Sequence, residues 1–309
     1  MLRIGIIGLG GIAQKAYLPV IGVRKGVELI FCTRNQSTLK QLVQKYRPEA
    51  SVNTVEELLA HQIDAAFVHS ATESHPQIIE QLFCAGVPVY ADKPIAYHYE
   101  DSVRLVELAE ELGVMLMIGF NRRFAPMVAD LKSKPDRRMI LLQKHRLRSP
   151  DIARRVIMDD FIHVVDTLRF LLPDQVRHSE ISVLQLDGLL CQVSLQLQGD
   201  GFTGIGMMNR DSGFNEERLE IISPSNKWVV NQLNETLWMK DGKEHRQGFS
   251  DWDTVLYRRG FEPIIEHFLT CVQQGSAPSI TARDALESHL LCEEIIRCAE
   301  AKGAKELTS

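Results

Sequence analysis

No CxxC pair and no Cys/His spacing of a zinc module occurs among the six cysteines, Cys32, Cys84, Cys191, Cys271, Cys292 and Cys298. That excludes a disulfide framework or structural zinc as the source of stability, and the cysteines read as buried thiols of a reducing compartment. No run of 18 apolar residues is present, and no basic leader precedes the strand-like "LRIGIIGLG" that begins at Leu2. A membrane-spanning helix is therefore not expected, and a cytoplasmic location is. Repeats, low-complexity tracts and disordered linkers are missing too, so any domains should abut directly. Positive charge is not in excess: a formal net charge of −5 argues against nucleic acid as a partner. The stretch "KHRLRSPDIARR", Lys144 to Arg155, is the local exception. It would either meet an anionic substrate or lie as solvated surface, the commoner fate of such runs.

What is present suits a globular protein. The chain has 309 residues, 45% hydrophobic and 24% charged, enough for a substantial core and for two domains. Over the first 120 residues, short apolar runs at 3–10, 27–33, 64–70, 87–92 and 114–119 alternate with helical patterns near 11–23, 37–46, 54–61, 75–85 and 100–112. Strict alternation predicts an α/β, doubly wound parallel sheet with right-handed crossovers. Beyond residue 120 the rhythm changes. A strand at 139–146 and a helix at 156–172 precede strands at 179–186, 189–198, 202–209, 217–222, 227–232 and 236–240, joined by turn-forming links. Helices at 254–273 and 281–301 close the chain. The expected division is a dinucleotide-binding domain at 1–120 and an α+β domain at 121–309, whose last helices are free to pack back on the first.

"GLGGIA" supplies Gly8, Gly10 and Ala13 in the G-x-G-x-x-G/A pattern, between a strand and a helix. Gly8 permits the turn, Gly10 lets backbone approach a pyrophosphate at the helix start, and Ala13 allows close helix–strand packing. Gly11 and Ile12 complete the candidate cofactor turn. At the end of the second strand, where an acid would hold the ribose 2′-hydroxyl of NAD, stand Thr33 and Arg34. A guanidinium suits a 2′-phosphate, so NADP(H) is preferred, with NAD(H) the alternative.

"ADKPIA" places Asp92, Lys93 and Pro94 at the carboxyl end of a sheet strand, the rim where open α/β sheets bind ligands. The residue before proline is held extended, so the Lys93 side chain would be aimed, and its ammonium could stabilise a substrate oxygen as that oxygen loses its proton. Taken by itself, a solvated loop lysine is the commoner outcome. In "MDDFIHVVD", Asp159, His163 and Asp166 share one face of an ideal helix, opposite Phe161, Val164, Val165 and Leu168. Alone, that stripe reads as a solvated face. As a metal site it lacks a second histidine or cysteine at ligand spacing, so no metal is expected.

The ordered motifs "GLGGIA", "DKP" and "DDFIHVVD" make the chain resemble the Gfo/Idh/MocA oxidoreductases, which carry a Gly-rich turn, E-K-P and D-x-x-x-H. "IGLGGIAQKAYLP", "FVHSATESH", "GFNRRFAP", "KHR" and "RRGFEPIIEHFLTCV" resemble, more narrowly, its MviM branch, a name attached to virulence factors, and extend the likeness over essentially the whole chain. The resemblance implies an N-terminal Rossmann domain and a C-terminal domain built on a large open-faced, mainly antiparallel sheet. It also implies NAD(P)-dependent redox chemistry on sugars, polyols or related hydroxy and keto compounds, in a homodimer or homotetramer assembled through that sheet. By position, Lys93 matches the lysine of E-K-P, Asp159 and His163 match D-x-x-x-H, and Ser70, Ala71, Thr72 and His75 fall on the segment lining the cofactor side, to which Asp92 and Lys93 are also assigned as cofactor-binding. Asp92 replaces the usual Glu, Ser70 and Ala71 replace Thr-Pro, and the Gly-Gly step many members have before D-x-x-x-H is absent.

On this reading His163 is the base for hydroxyl oxidation, its ordinary pKa near 6.5 suiting the task. Asp159 orients it or holds a neighbouring hydroxyl, Lys93 polarises the reacting oxygen, and Asp166 supports the imidazole from behind. Asn121, Arg122 and Arg123 are further candidates for substrate contact. An NADP(H)-binding sensor that retains the fold without turnover is the competing reading.

Overall fold

The computed structural model describes residues 1–306, which form two compact units. The first comprises Met1–Phe120 together with Phe261–Glu287. Its strands are β1 (Leu2–Ile7), β2 (Val27–Cys32), β3 (Ala50–Val52), β4 (Ala65–Val68), β5 (Val89–Ala91) and β6 (Leu116–Ile118). They pair in parallel in the order β3-β2-β1-β4-β5-β6. The connecting helices are α1 (Leu18–Ile21), α2 (Gln36–Tyr46), α3 (Val55–Leu59), α4 (His75–Cys84) and α5 (Tyr99–Leu112). Burial runs along the strands instead of alternating, and all four residues of β4 are buried, as in a sheet covered on both faces. The expected doubly wound parallel sheet is thus found, with six strands where apolar runs marked five. The unmarked strand, Ala-Ser-Val at β3, lies at the sheet edge and is too short and polar to register.

Strand order reverses between β1 and β4, leaving a crevice at their carboxyl ends, where such sheets bind ligands. Beneath it Tyr17, Phe67 and Tyr90 pack with Phe268, the Phe67 ring lying 4.9 Å from Tyr90 and 5.1 Å from Phe268 between centroids.

The second unit comprises Asn121–Gly260 and the chain from Ser288 onward. Its sheet holds β7 (Met139–His145), β8 (His178–Leu186), β9 (Leu189–Gly199), β10 (Phe202–Asn209), β11 (Glu216–Ser223), β12 (Asn226–Asn231), β13 (Glu235–Lys240) and β14 (Lys243–Gly248). The order is β14-β13-β12-β11-β7-β10-β9-β8, and every pair is antiparallel except β10 with β7. This is the large, mainly antiparallel sheet that the resemblance implied. Strand β14, "KEHRQG", is exposed throughout and polar, so no periodicity announced it.

The helices here are α6 (Pro126–Lys132), α7 (Ala153–Val156), α8 (Ile162–Leu171) and α9 (Val255–Arg258); α10 (Phe261–Gln274) belongs to the first unit, and α11 (Ala282–Glu306) continues from one unit into the other. Three expectations need correction. Helix α6 was not anticipated. The helix expected over 156–172 starts at Ala153 and carries a π-turn over Ile157–Phe161. The one expected over 254–273 is two helices, α9 and α10, broken at Gly260. The thiols also differ: Cys84 is exposed and Cys298 partly so, while the other four are buried. No helix among the described residues is long and apolar enough to cross a membrane.

Helix α8 lies on β7 and β10, and Gly206 sets how closely: a Cβ built there would stand 2.6 Å from Val164 Cγ1. The other sheet face carries Met139, Leu141, Ile205, Met207 and Ile222 at alternating, partly exposed positions. Overpacking of this kind costs about 1–3 kcal/mol. Gly206→Ala should therefore lower the thermal midpoint measurably by circular dichroism, and an unchanged midpoint would show that α8 can lift from the sheet at no cost.

Candidate active site

The turn after β1 is shaped by one close approach. Gly8 has φ +84°, and a Cβ there would lie 2.4 Å from the backbone nitrogen of Ser70, so no side chain fits. Cβ atoms at Gly10 or Gly11 would meet nothing within 4 Å, and both residues are exposed, so the backbone there can be approached by a ligand, although the Gly10 carbonyl already accepts from Gln14 N at 3.1 Å. The helix that follows begins with a π-turn, Ala13–Tyr17, in which Ala13 is fully buried.

A cavity of about 840 Å³ opens at the carboxyl ends of β1, β2 and β4. Gly8, Gly10, Thr33, Arg34, Ser70 and Ala71, all named from the sequence, line it. Gly11, Ile12, Ala13, Thr72, His75, Asp92 and Lys93 are absent from its wall. At the β2 end the loop offers Thr33, Arg34 and Asn35 and no carboxylate; Asn35 also caps α2 by accepting from Thr38 N at 3.1 Å. The carboxylate of Glu56, farther along the wall, accepts from Gln81 at 3.0 Å.

The sequence did not point to His69, which lines the same cavity. Its ring lies 3.9 Å from that of Tyr17, it is 4% exposed, and neither nitrogen has a hydrogen-bond partner among the described residues. Burial, with a smaller push from His75, lowers its pKa to about 3, so the ring is neutral. An orphaned polar ring in a cavity wall is a place for a ligand group to bond.

His75 does different work from the cofactor contact expected of it. Fully buried, its Nδ1 faces the carbonyl of Pro94 at 3.0 Å and its Nε2 that of Ser70 at 3.2 Å; burial lowers its pKa, so the neutral ring donates to one of these carbonyls and packs against the other, between the loop after β4 and the loop after β5. Asp92 anchors that second loop: its carboxylate accepts from Lys93 N at 3.0 Å and approaches the Tyr17 hydroxyl at 3.5 Å, and Tyr17 meets Tyr90 at 3.0 Å. Burial raises the Asp92 pKa. The Lys93–Pro94 peptide is cis.

In the second unit the helix carrying Asp159 and His163 is not the ideal one assumed from spacing. The π-turn adds a residue between α7 and α8, so a wheel of 100° per residue fails across it. Asp160, which the motif passes over, becomes the hub. Its Oδ2 accepts from Arg146 Nε at 2.6 Å and Arg210 Nη1 at 2.7 Å, and its Oδ1 accepts from Arg146 Nη2 at 2.7 Å and pairs with Lys144 Nζ at 2.8 Å. Burial alone would raise its pKa; Lys144 and Arg146 reverse that and hold it far below the carboxylate range.

Lys144, 1% exposed, stands opposite Glu217 in the β7–β11 register. Burial, then the charge of Arg122, lowers its pKa to about 7. Arg122 grips Glu217 through Nε at 3.0 Å and Nη2 at 3.1 Å, and its Nη1 reaches His163 Nε2 at 3.2 Å. A guanidinium can only donate, so Nε2 is the acceptor and the neutral ring carries its proton on Nδ1. Against burial, Arg122 and Lys144 bring the Glu217 pKa down to about 2.

Asn121 and Arg123 are held by structure. Asn121 donates to the Arg259 carbonyl at 2.7 Å. Arg123 donates to Asp166 at 2.9 and 2.6 Å and lies 5.5 Å from the Phe170 ring. Asp166 also accepts from Ser288 at 2.9 Å and is 1% exposed, so in place of the wet stripe and the histidine support expected of it, it is a buried partner of Arg123 and Ser288. The basic stretch is solvated surface only in part: Arg148 and Arg155 are exposed, whereas Lys144 is buried, Arg146 binds Asp160, and Arg154 donates to Glu293 at 2.8 and 3.1 Å. Among the described residues no three His, Cys, Asp or Glu side chains gather as a metal site.

The model of the oxidoreductase family with an NAD-binding Rossmann fold (GFO_IDH_MocA) matches residues 2–120, and that of a YceM-like C-terminal domain matches 126–241. The YceM protein of Salmonella typhimurium is 34% identical over 96% of this chain and 98% of its own. The crystal structure of a dehydrogenase (MviM) from Clostridium difficile superposes with a TM-score of 0.92 at 34% identity, covering 96% of this chain and 99% of that one. A myo-inositol 2-dehydrogenase from Thermotoga maritima is 22% identical over 99% of this chain and 98% of its own.

Glu217 gives the second unit a signature in acid. Its depressed pKa contributes stability that is complete above the unfolded value of about 4.5 and disappears as pH falls through about 2. The difference in unfolding free energy between the parent and Glu217→Gln should therefore shrink as denaturation is repeated from pH 6 down to pH 2. A difference constant over that range would mean that Glu217 is not held ionised by Arg122 and Lys144.

Proposed function

The chain belongs to the Gfo/Idh/MocA family of NAD-binding oxidoreductases, and on that premise we propose a dehydrogenase that prefers NADP(H) and interconverts hydroxyl and carbonyl on a sugar, polyol or related hydroxy compound. The cavity at the carboxyl ends of β1, β2 and β4 carries this reading. Its glycine turn is exposed and free of side chains where a pyrophosphate would approach, and Arg34 offers a guanidinium for a 2′-phosphate where a carboxylate would repel it. The neutral His69 supplies a bonding partner farther along the wall. The full-length relative named as a myo-inositol 2-dehydrogenase supports a polyol-like substrate.

When bound, the nicotinamide accepts or supplies the hydride. The chain's own groups manage the proton. His163 takes it from the hydroxyl in oxidation and returns it in reduction. Because Nε2 accepts from Arg122, proton uptake there requires the substrate hydroxyl to displace that N–H. Lys93 stabilises the oxygen as negative charge develops on it. Asp159, on the π-turn, holds a neighbouring hydroxyl or orients the imidazole. The partly exposed apolar face of the second unit's sheet serves a homodimer or homotetramer, and sedimentation at micromolar concentration should find more than one chain; a monomer there contradicts the assembly.

A panel of sugars, polyols and their oxidised forms, followed by nicotinamide absorbance with both cofactors, tests the activity. Lys93→Met and His163→Ala should each lower kcat/KM about 10²–10⁴-fold, with NADPH affinity by fluorescence unchanged. Full turnover by both variants would sink the assignment. Arg34→Asp should cut the ratio of NADPH to NADH affinity at least about tenfold, a change of ~1.4 kcal/mol; an unmoved ratio would remove Arg34 from cofactor choice.

A further inference from the structure

Four cationic side chains in the second unit, Arg122, Lys144, Arg146 and Arg210, form one electrostatically coupled network with two carboxylates: Lys144, Arg146 and Arg210 contact Asp160, Arg122 contacts Glu217, and Lys144 stands opposite Glu217 in register. Glu217 matches Arg122 in a bidentate pair. Asp160 is then the one carboxylate in direct contact with Lys144, Arg146 and Arg210, Glu217 acting on Lys144 and Arg146 only through space, and four short contacts already occupy the two Asp160 oxygens. Arg259, which acts on Glu217, and Asp159, next to Asp160, leave the positive excess as it is. Uncompensated charge in a shielded site is relieved by loss of a proton or by a further anion; Lys144 can lose one, but the three arginines cannot and still outnumber the two carboxylates. The depressed pKa of Lys144, which repulsion from Arg122 and Arg146 helps to cause, is the same excess seen from the lysine.

The network has an accessible edge. The Arg146 side chain is 35% exposed and that of Arg210 13%, against 2% for Lys144. At the other end Arg122 touches His163, so the network reaches from solvent to the proposed base. We propose that this network receives an oxyanion carried by the substrate, a carboxylate or a phosphate, which makes the substrates hydroxy acids or phosphorylated sugars and polyols instead of neutral ones. The proposal builds on the redox reading for its reaction; the site itself stands on the charges.

Matched pairs test it with the full chain and NADP⁺ in a zwitterionic buffer: D-glucuronate against D-glucose, glucose 6-phosphate against glucose, and inositol phosphate against myo-inositol. Calorimetric titration of the same compounds and of inorganic phosphate runs beside turnover. The anionic member should be favoured in kcat/KM at least about tenfold, and the preference should fall as salt rises. Arg146→Gln and Arg210→Gln should bring the ratio toward one, with Arg210→Lys retaining part of it and circular dichroism confirming the fold of each. The carboxylate and phosphate pairs tell the two oxyanions apart. Equal or better use of neutral members, or variants that change both members alike, overturns the proposal. If nothing turns over but oxyanion binding is present and lost in Arg146→Gln, the redox reading fails and the anion site stands. If neither turnover nor oxyanion binding occurs while NADPH still binds, the anion site fails.

Discussion

One carboxylate organises the second unit. Asp160 lies on the π-turn, Lys144 and Arg146 at the end of β7, and Arg210 just past β10, so a single side chain ties a helix to two strand ends. Arg210 extends the tie by donating to the Ser149 carbonyl at 2.7 Å. The arrangement holds because a buried ion tolerates its surroundings only when its partners saturate it, and here they do so at 2.6–2.8 Å. Position and chemistry are therefore set together: the contacts that place the helix carrying Asp159 and His163 also leave that end of the sheet positively charged.

The first unit depends on a steric constraint instead. Gly8 lies against the backbone of Ser70, so the turn after β1 and the loop after β4 are one structure. His75 then packs between the β4 loop and the β5 loop that carries Lys93. Three consecutive strand ends are thereby fixed without help from a ligand. The neutral state of His69 means that the inner wall of the cavity keeps the same charge across the physiological pH range.

The sequence showed what repeats. Apolar runs alternating with helical patterns marked five of the six parallel strands, and turn chemistry marked seven of the eight strands of the second sheet; Ala50–Val52 and Lys243–Gly248 escaped because neither has apolar periodicity. Local motifs were legible for the same reason: glycines at Gly8 and Gly10 and the missing acid at Thr33–Arg34 act through backbone within a few residues. Lys144, Arg146 and Arg210 were not legible as partners of Asp160, nor Glu217 as the partner of Arg122, since they come from separate strands or strand ends and only register brings them together. Asp166 misled because an acid on a helix looks solvated until Arg123 and Ser288, 43 and 122 residues away, are seen to enclose it.

The π-turn at Ile157–Phe161 has a consequence for how this helix can change. One residue more than an α-helical turn shifts the phase of everything after it by about 100°, so the faces of α7 and α8 do not follow one helical wheel. Such a helix has slack: loss of a single residue here would let it close into a regular α-helix and swing Asp159 and Asp160 relative to His163 without breaking the chain's path. Conservation of length across those five residues is then as much a part of the site's specification as the identity of any side chain in it.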